Sequence, residues 1–355
     1  MADFVNGISM AGGDGTKSYT KNSLYQRAVM DAGMLLVQKS IADHIQPTSL
    51  QTFSIADLGC SVGPNTFIAV DNIIDSVKLK YRKPDKIPEF QVYFNDHILN
   101  DFNTLFKSLP PNRDYYSSGV PGSFYARLFP SASLHIVHSS YSLQWLSHVP
   151  KEIMDPTSTA YNKGRISCIG DNEEVIEAYS RQHAKDFSEF LQARAQEVVP
   201  GGLVTLILPA RPNGVRHSQD AFSIINDRMG ACLVDLAEQG VIEEEKVDKF
   251  NLPQYITSPH EIEEIVKQNG HFDIEKMEGL PEVKASYRPS SPEEVSRGMR
   301  AIMGEIIKAH FGHEILDDVF RILQHKLANA SDEKPGFELN LFVLLKRRQE
   351  PVNGM

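Results

Sequence analysis

Residues 54–66 read SIADLGCSVGPNT. Phe53 to Leu58 is a short apolar run carrying one acid, Asp57, and it stops at Gly59. A run of that length bounded by glycine reads as a buried strand. Pro64 to Lys80 follows with Ile68, Val70, Ile73, Ile74 and Val77 and reads as a helix. A strand that ends in glycines and enters a helix brings backbone close to a ligand at the carboxyl edge of a sheet. The spacing is G-x-x-x-G (Gly59, Gly63), without the G-K-[ST] of a phosphate loop or the third glycine of a dinucleotide fingerprint. A polyphosphate is therefore not its natural ligand, and a nicotinamide oxidoreductase is disfavoured. Asp57 suits a nucleoside with a charged amino-acid tail, because a carboxylate can receive an ammonium. A plain tight turn, with Asp57 capping the next element, is equally compatible with this stretch alone.

Outward from that turn, strands and helices alternate. Apolar residues recur at helical spacing from Ser23 to His44, and Glu173 to Val198 is a long amphipathic helix. Strands are expected at Phe90–Phe94, Leu134–His138, Leu203–Leu208, Phe272–Met277 and Leu339–Leu345, with one helix over Arg297–Lys326. This alternation predicts an α/β fold, a Rossmann-like, mostly parallel sheet covered on both faces. Residues 211–255 interrupt it with helices and loops, and residues 281–296 do the same. The expectation is a core of residues 1–210 and 256–355 with a helical cap at 211–255, parts of 281–330 adding to that cap. Asn95-Asp96 puts an acid at the tip of the second strand, where a ribose hydroxyl pair would lie.

Bulk properties narrow the partners. The 355 residues are 41% hydrophobic, enough for a large core, and no apolar run approaches the ~18 residues of a membrane helix. The amino terminus has neither the basic start nor the apolar stretch of a secretory signal. Cys60, Cys168 and Cys232 are odd in number and widely spaced, which fits a reducing cytoplasm better than a disulfide framework. Net charge is −10, and the one tight basic run, Lys346-Arg347-Arg348, reads as a solvated strand end. Nucleic acid is a poor partner for such a chain.

Seven ordered blocks resemble the plant SABATH methyltransferases. They are GGDGTKSYTKNSLYQR (12–27), IADLGCSVGPNT (55–66), FNDHILNDFNTLFKSLP (94–110), GVPGSFYARLFP (119–130), HSSYSLQWLSHVP (138–150), ARAQEVVPGGL (193–203) and KFNLPQY (249–255). The resemblance covers nearly the whole chain. It implies an S-adenosylmethionine-dependent enzyme, usually a homodimer, that methylates the carboxylate of a small plant metabolite and releases S-adenosylhomocysteine. Some members methylate xanthine nitrogens instead, and a fold that has lost its chemistry is a further alternative.

The resemblance also assigns roles. Tyr19, Ser23, Asp57, Gly59, Asn65, Asp96, His97, Ser123, Phe124, Ser139, Ser140 and Tyr141 would surround the cofactor. Gln26 and Trp145 would grip the acceptor carboxylate; both are hydrogen-bond donors, and the indole is donor only. A carboxylate is already nucleophilic at neutral pH, so in-line positioning replaces a general base, and His138 and His148 are not expected to act as one. Tyr141, Gln144, Ile225 and Asn226 would complete the acceptor site. Asn226 stands where salicylate-type members carry a bulky aromatic, and Arg211, Arg216 and His217 lie nearby in sequence, so a roomier, more polar site for a larger, more oxygenated or heterocyclic acid is expected. Ala11 replaces the family's lysine in the Met10-Ala11-Gly12-Gly13 stretch. A weak structural magnesium site would fall on Asn162, Asp248, Phe250 and Asn251.

Overall fold

The computed structural model describes residues 9–47, 49–170, 172–330 and 336–349. The first eight residues of the stretch read above as lacking a secretory signal lie outside them. Among the described residues, seven strands form one sheet: β1 (Thr52–Leu58), β2 (Glu89–Asp96), β3 (Tyr116–Pro121), β4 (Leu134–Ser140), β5 (Val198–Ala210), β6 (Phe272–Gly279) and β7 (Leu339–Arg347). Their spatial order is β3-β2-β1-β4-β5-β7-β6. β1 to β5 are parallel, and β7 runs antiparallel to both β5 and β6. The helices are α1 (Tyr19–Asn22), α2 (Leu24–His44), α3 (Pro64–Lys78), α4 (Phe102–Lys107), α5 (Glu173–Glu197), α6 (Ala221–Glu238), α7 (Glu244–Asp248), α8 (Pro259–Asn269), α9 (Pro292–Phe311) and α10 (Leu316–Asn329).

Side chains alternate across a strand, and both faces of this sheet are covered. Phe53 and Ile55 of β1 join Val37 and Ile41 of α2 and Phe67 and Ile73 of α3 in one core. Ala56 and Leu58 point the other way, against Phe187 and Phe190 of α5 and Ile262 and Val266 of α8. Full burial of each large apolar side chain is worth ~1.5–3 kcal/mol, which is why β1 reads as a nearly continuous apolar run. A third core lies among the helices, away from the sheet. Met229 and Leu233 of α6, Ile306 and Phe311 of α9 and Val319 and Leu323 of α10 share it with Phe250.

Two features depart from expectation. The helix expected over Arg297–Lys326 is two helices, because Gly312 takes φ 102° and its N–H closes α9 on the Lys308 carbonyl at 3.0 Å. Left-handed backbone suits glycine and ends a helix. The sequence reading also omitted β3, an edge strand of sequence YSSGVP that pairs only with β2. It buries too little apolar surface to show a period.

Candidate active site

The strand order reverses between β1 and β4, and ligands of such sheets sit in the crevice outside the carboxyl ends there. Gly59 has φ 84°, and its N–H donates to the Asn95 carbonyl at 2.9 Å. A Cβ at Gly59 would lie 2.0 Å from Ser142 Oγ. The glycine is thus demanded twice, by backbone conformation and by the close approach of β4's carboxyl end. Ser61 also has positive φ, 51°, and its N–H donates to Asp96 Oδ2 at 2.7 Å. Ser61 Oγ is buried without a hydrogen-bond partner. Ser61 is not among the site residues expected from the sequence, although a small polar residue between two glycines is a signal for it.

Asp57 is buried, and the Thr66 hydroxyl donates to it. Burial pushes its carboxyl up to about 7; Asp96 pushes the same way and Thr66 opposes it. Asp96 is also raised, first by burial, against the N–H of Ser61, the His97 charge and the His97 N–H, which donates to Oδ1 at 2.7 Å. Two poorly solvated acids are unfavourable in an empty crevice and favourable beside a cation. Asn65 Nδ2 donates to Ser23 Oγ at 3.2 Å, so these two expected contacts form one cluster where α3 begins. Tyr19 is held near Asp96, and burial followed by that acid raises its phenol.

The segment bearing Ser123 and Phe124 is pinned from beneath. Arg194 and Glu197 of α5 are fully buried and paired at 2.7 Å. Arg194 donates to the carbonyls of Phe124 (2.6 Å) and Ala126 (3.1 Å), while Glu197 accepts from the N–H of Phe129 at 2.9 Å. Phe124 packs edge-on against Tyr125 and Phe190. Ser139 donates to the Leu58 carbonyl at 2.8 Å and ties β4 to β1. The Ser140 carbonyl accepts from Ser142. Tyr141 then turns out of the sheet with φ 57°, its N–H on the Ile207 carbonyl.

Beyond Tyr141 lies a cavity of about 1470 Å³. Gln26, Tyr141, Gln144, Trp145, Ile225 and Asn226 all border it, as the sequence reading expected, and Tyr19 borders it too. Gln144 donates its amide to the Tyr141 carbonyl at 2.8 Å, so its buried Oε1 is left as an acceptor with no partner. Gln26 Oε1 is likewise buried and unpartnered. Trp145 is half-buried, and its backbone bridges to Gln254. Asn226 is buried and donates to Gln254 Oε1 at 3.0 Å.

Some expectations need correction. Arg211 and His217 do not make this cavity polar. Arg211 binds the Val215 carbonyl and Glu261, and His217 packs on Tyr255, both outside the lining. Arg216 is exposed and also outside it. The polarity comes from Gln26, Gln144 and Asn226 and from residues not expected from the sequence: Gln254, Tyr25, Arg288, Glu338 and Asn340. The last two sit at the start of β7, in a short F-E-L-N alternation. Gln254 lies within the quoted KFNLPQY block. His138 is buried in β4 against Thr205 at 3.0 Å, and burial lowers it to about 4, so it stays a neutral core residue.

Asn162, Asp248, Phe250 and Asn251 come together, but as a hydrogen-bonded joint. Asp248 accepts from the Gly164 N–H at 2.9 Å and from Tyr161 at 3.2 Å, and Asn162 donates to Asn251 Oδ1 at 2.7 Å. A hard cation wants six or more oxygens. The single carboxylate here is already engaged, and no His/Cys/Asp/Glu cluster suited to a metal occurs among the described residues. The set does not fit magnesium.

Three comparisons bear on this geometry. A model of the family described as SAM dependent carboxyl methyltransferase matches residues 5–348. The chain is 44% identical to the loganic acid O-methyltransferase of Catharanthus roseus, over 97% of this chain and 95% of that one. It is 40% identical to paraxanthine methyltransferase 2 of Arabidopsis thaliana, over 95% and 98%. A solved structure described as loganic acid methyltransferase with SAH superposes with a TM-score of 0.93 over 96% of this chain and 99% of that one.

Proposed function

We propose, from the premise that the chain belongs to the S-adenosylmethionine-dependent carboxyl methyltransferase family, that its acceptor is an extended, oxygen-rich carboxylic acid. The reaction itself is transfer of a methyl group from S-adenosylmethionine to a carboxylate. The cofactor supplies the methyl on a sulfonium, and the protein's task is to align it with the acceptor oxygen. Asp57, with Asn65 and Ser23, receives the charged tail; Asp96 and His97 hold the ribose side; Ser123 and Phe124 border the base. The Gln26 amide and the Trp145 indole N–H grip the acceptor carboxylate. No side chain need take a proton, because the acceptor is already an anion.

The observation that carries the acceptor class is the lining. Gln26, Gln144, Asn226 and Gln254 place four side-chain amides around one large cavity. Gln144 Oε1 is fixed as an acceptor, which favours a hydroxyl-bearing molecule over a plain benzoate. Methyl transfer from labelled S-adenosylmethionine to a panel of acids tests this. Efficient turnover of polyhydroxylated acids, giving base-labile methyl esters, supports it; a low KM for salicylate or benzoate overturns it. The likeness to a paraxanthine enzyme favours a second reading, nitrogen methylation, and a base-stable product would select it.

The same reading has the enzyme cytosolic, working as a pair of copies and without magnesium. Light scattering tests the pairing and cell fractionation the compartment. Activity after dialysis against a chelator should stay within about two-fold, since displacement at a methyl needs no Lewis acid.

A further inference from the structure

Residues 281–291 run between β6 and α9 as a thin wall. Glu282, Ser286, Arg288, Pro289 and Ser290 border the cavity, and Tyr287 borders it while 47% exposed to solvent. The segment is tied at its ends, by the Leu280 N–H on the Asn340 carbonyl (2.7 Å) and by Ser290 on Glu294. Between those ends Val283 is buried in the core shared with α2, and one side-chain hydrogen-bonded or ionic tie to another element occurs among the described residues. Arg288 pairs bidentately with Glu338, Nη1 to Oε2 at 2.7 Å and Nη2 to Oε1 at 3.2 Å. A guanidinium fork on a carboxylate is the strong, geometrically specific form of ion pair.

Glu338 has further partners. Its Oε1 accepts from Tyr25 at 2.7 Å and from Asn340 Nδ2 at 3.2 Å. Asn340 Nδ2 also donates to the Tyr25 hydroxyl at 3.1 Å, and Asn340 Oδ1 accepts from the Tyr141 hydroxyl. The rings of Tyr25, Tyr141 and Phe222 pack edge-on around this knot at 6.2–6.4 Å. One carboxylate thus touches the outer wall, the helix that also carries Gln26, and, through Asn340, the left-handed Tyr141 where cavity and crevice meet.

We infer that Glu338 and Arg288 are positioning residues for the methyl transfer: their pair closes the wall over the acceptor, and Glu338 relays that closure to Tyr25 and Tyr141. This rests on the acceptor lying in the cavity. Glu338 is not placed to touch the reacting atoms, so its removal should act on acceptor affinity and alignment.

The chain's single tryptophan, Trp145, lies in the cavity and gives a readout that needs no substrate. In the full-length protein, Arg288→Ala and Glu338→Gln should each raise acrylamide quenching of Trp145 about two-fold, as a local opening would. Arg288→Lys should restore part of the shielding. For the acid that the wild type methylates best, Arg288→Ala and Glu338→Gln should raise KM about ten-fold with kcat little changed. Glu338→Ala, which also releases Tyr25 and Asn340, should lower kcat as well. S-adenosylhomocysteine affinity should stay within about two-fold in all, because the crevice is untouched. Unchanged quenching in both Arg288→Ala and Glu338→Gln overturns the inference. So does an equal loss of S-adenosylhomocysteine binding, which would mark a merely structural pair. A wild type that methylates no acid would overturn the proposed acceptor while leaving the quenching result to decide the latch.

Discussion

The crevice and the cavity meet at Tyr141 and are built in opposite ways. The crevice is backbone-made. Its shape follows from parallel strands ending together, with Gly59, Ser61 and Asp96 locked by main-chain hydrogen bonds. The cavity is side-chain-made, from residues near 10–26, 141–145, 221–228, 254, 282–303 and 336–340. Its polar atoms are satisfied by one another or left open. A site with few alternatives suits a shared cofactor, and a site assembled from independent segments suits an acceptor that differs between relatives.

Breaking the crevice should cost most. Gly59→Ala places a methyl 2.0 Å from Ser142 Oγ at φ 84°. S-adenosylhomocysteine binding by calorimetry should fall more than about 100-fold, from a backbone shift that strain of a few kcal/mol cannot hold in place. Retained affinity would mean that Ser142 yields without moving β1.

The next effect is on the support of the segment bearing Ser123 and Phe124. Glu197→Ala strands the buried Arg194, and thermal unfolding should show a loss of about 3–5 kcal/mol. Arg194→Leu with Glu197→Leu should recover part of it. If the single change costs under ~1 kcal/mol, water reaches the pair and the segment is anchored otherwise.

Asp57 sharpens the comparison by pH. Burial pushes its carboxyl up to about 7. Below that pH it is neutral and pairs poorly with an ammonium, so cofactor affinity should rise as pH climbs through about 7 and then level. Binding near pH 7 should release protons, visible in calorimetry in buffers of different ionisation enthalpy. The stability sign is opposite: a raised acid destabilises the empty fold increasingly as pH rises from about 4 to about 7, and the bound cation offsets this. Asp57→Asn should flatten the affinity profile and weaken binding about ten-fold or more. An unaltered profile would assign the tail to another group.

Changes in the cavity should act on the acceptor alone. On the proposed carboxylate grip, Trp145→Phe removes one donor to an anion, worth ~1.5–3 kcal/mol, so the acid's KM should rise about 10- to 100-fold with cofactor affinity unchanged. A fall in cofactor affinity would show that crevice and cavity are not separable. Gln144→Met should cost only several-fold, and only with acids carrying a hydroxyl.

The sequence alone determined six of the seven strands, the glycine turn after β1 and the residues near Trp145. Their signals are local: glycine after an apolar run, an acid at a strand tip, an ordered set of blocks. Of the residues singled out from the sequence, Gln26, Gln144, Trp145 and Asn226 border the cavity, and Asp57, Gly59, Asn65 and Asp96 lie at the carboxyl ends of β1 and β2 and the start of α3. Where they failed, the reason was that a side chain's direction is a tertiary fact. Arg211 and His217 sit close to the cavity in sequence and turn away, because Glu261 and Tyr255 hold them. Asn162 and Asn251 bond to each other, and the Asp248 oxygens are taken by Gly164 and Tyr161, so the expected set leaves few free oxygens for a cation. Only tertiary structure decided that β7 runs antiparallel, which delivers Glu338 and Asn340 to the cavity and seats a carboxylate between Tyr25 and Arg288. Residues some 300 positions apart meet there through strand pairing, and no periodicity along the chain encodes such a meeting.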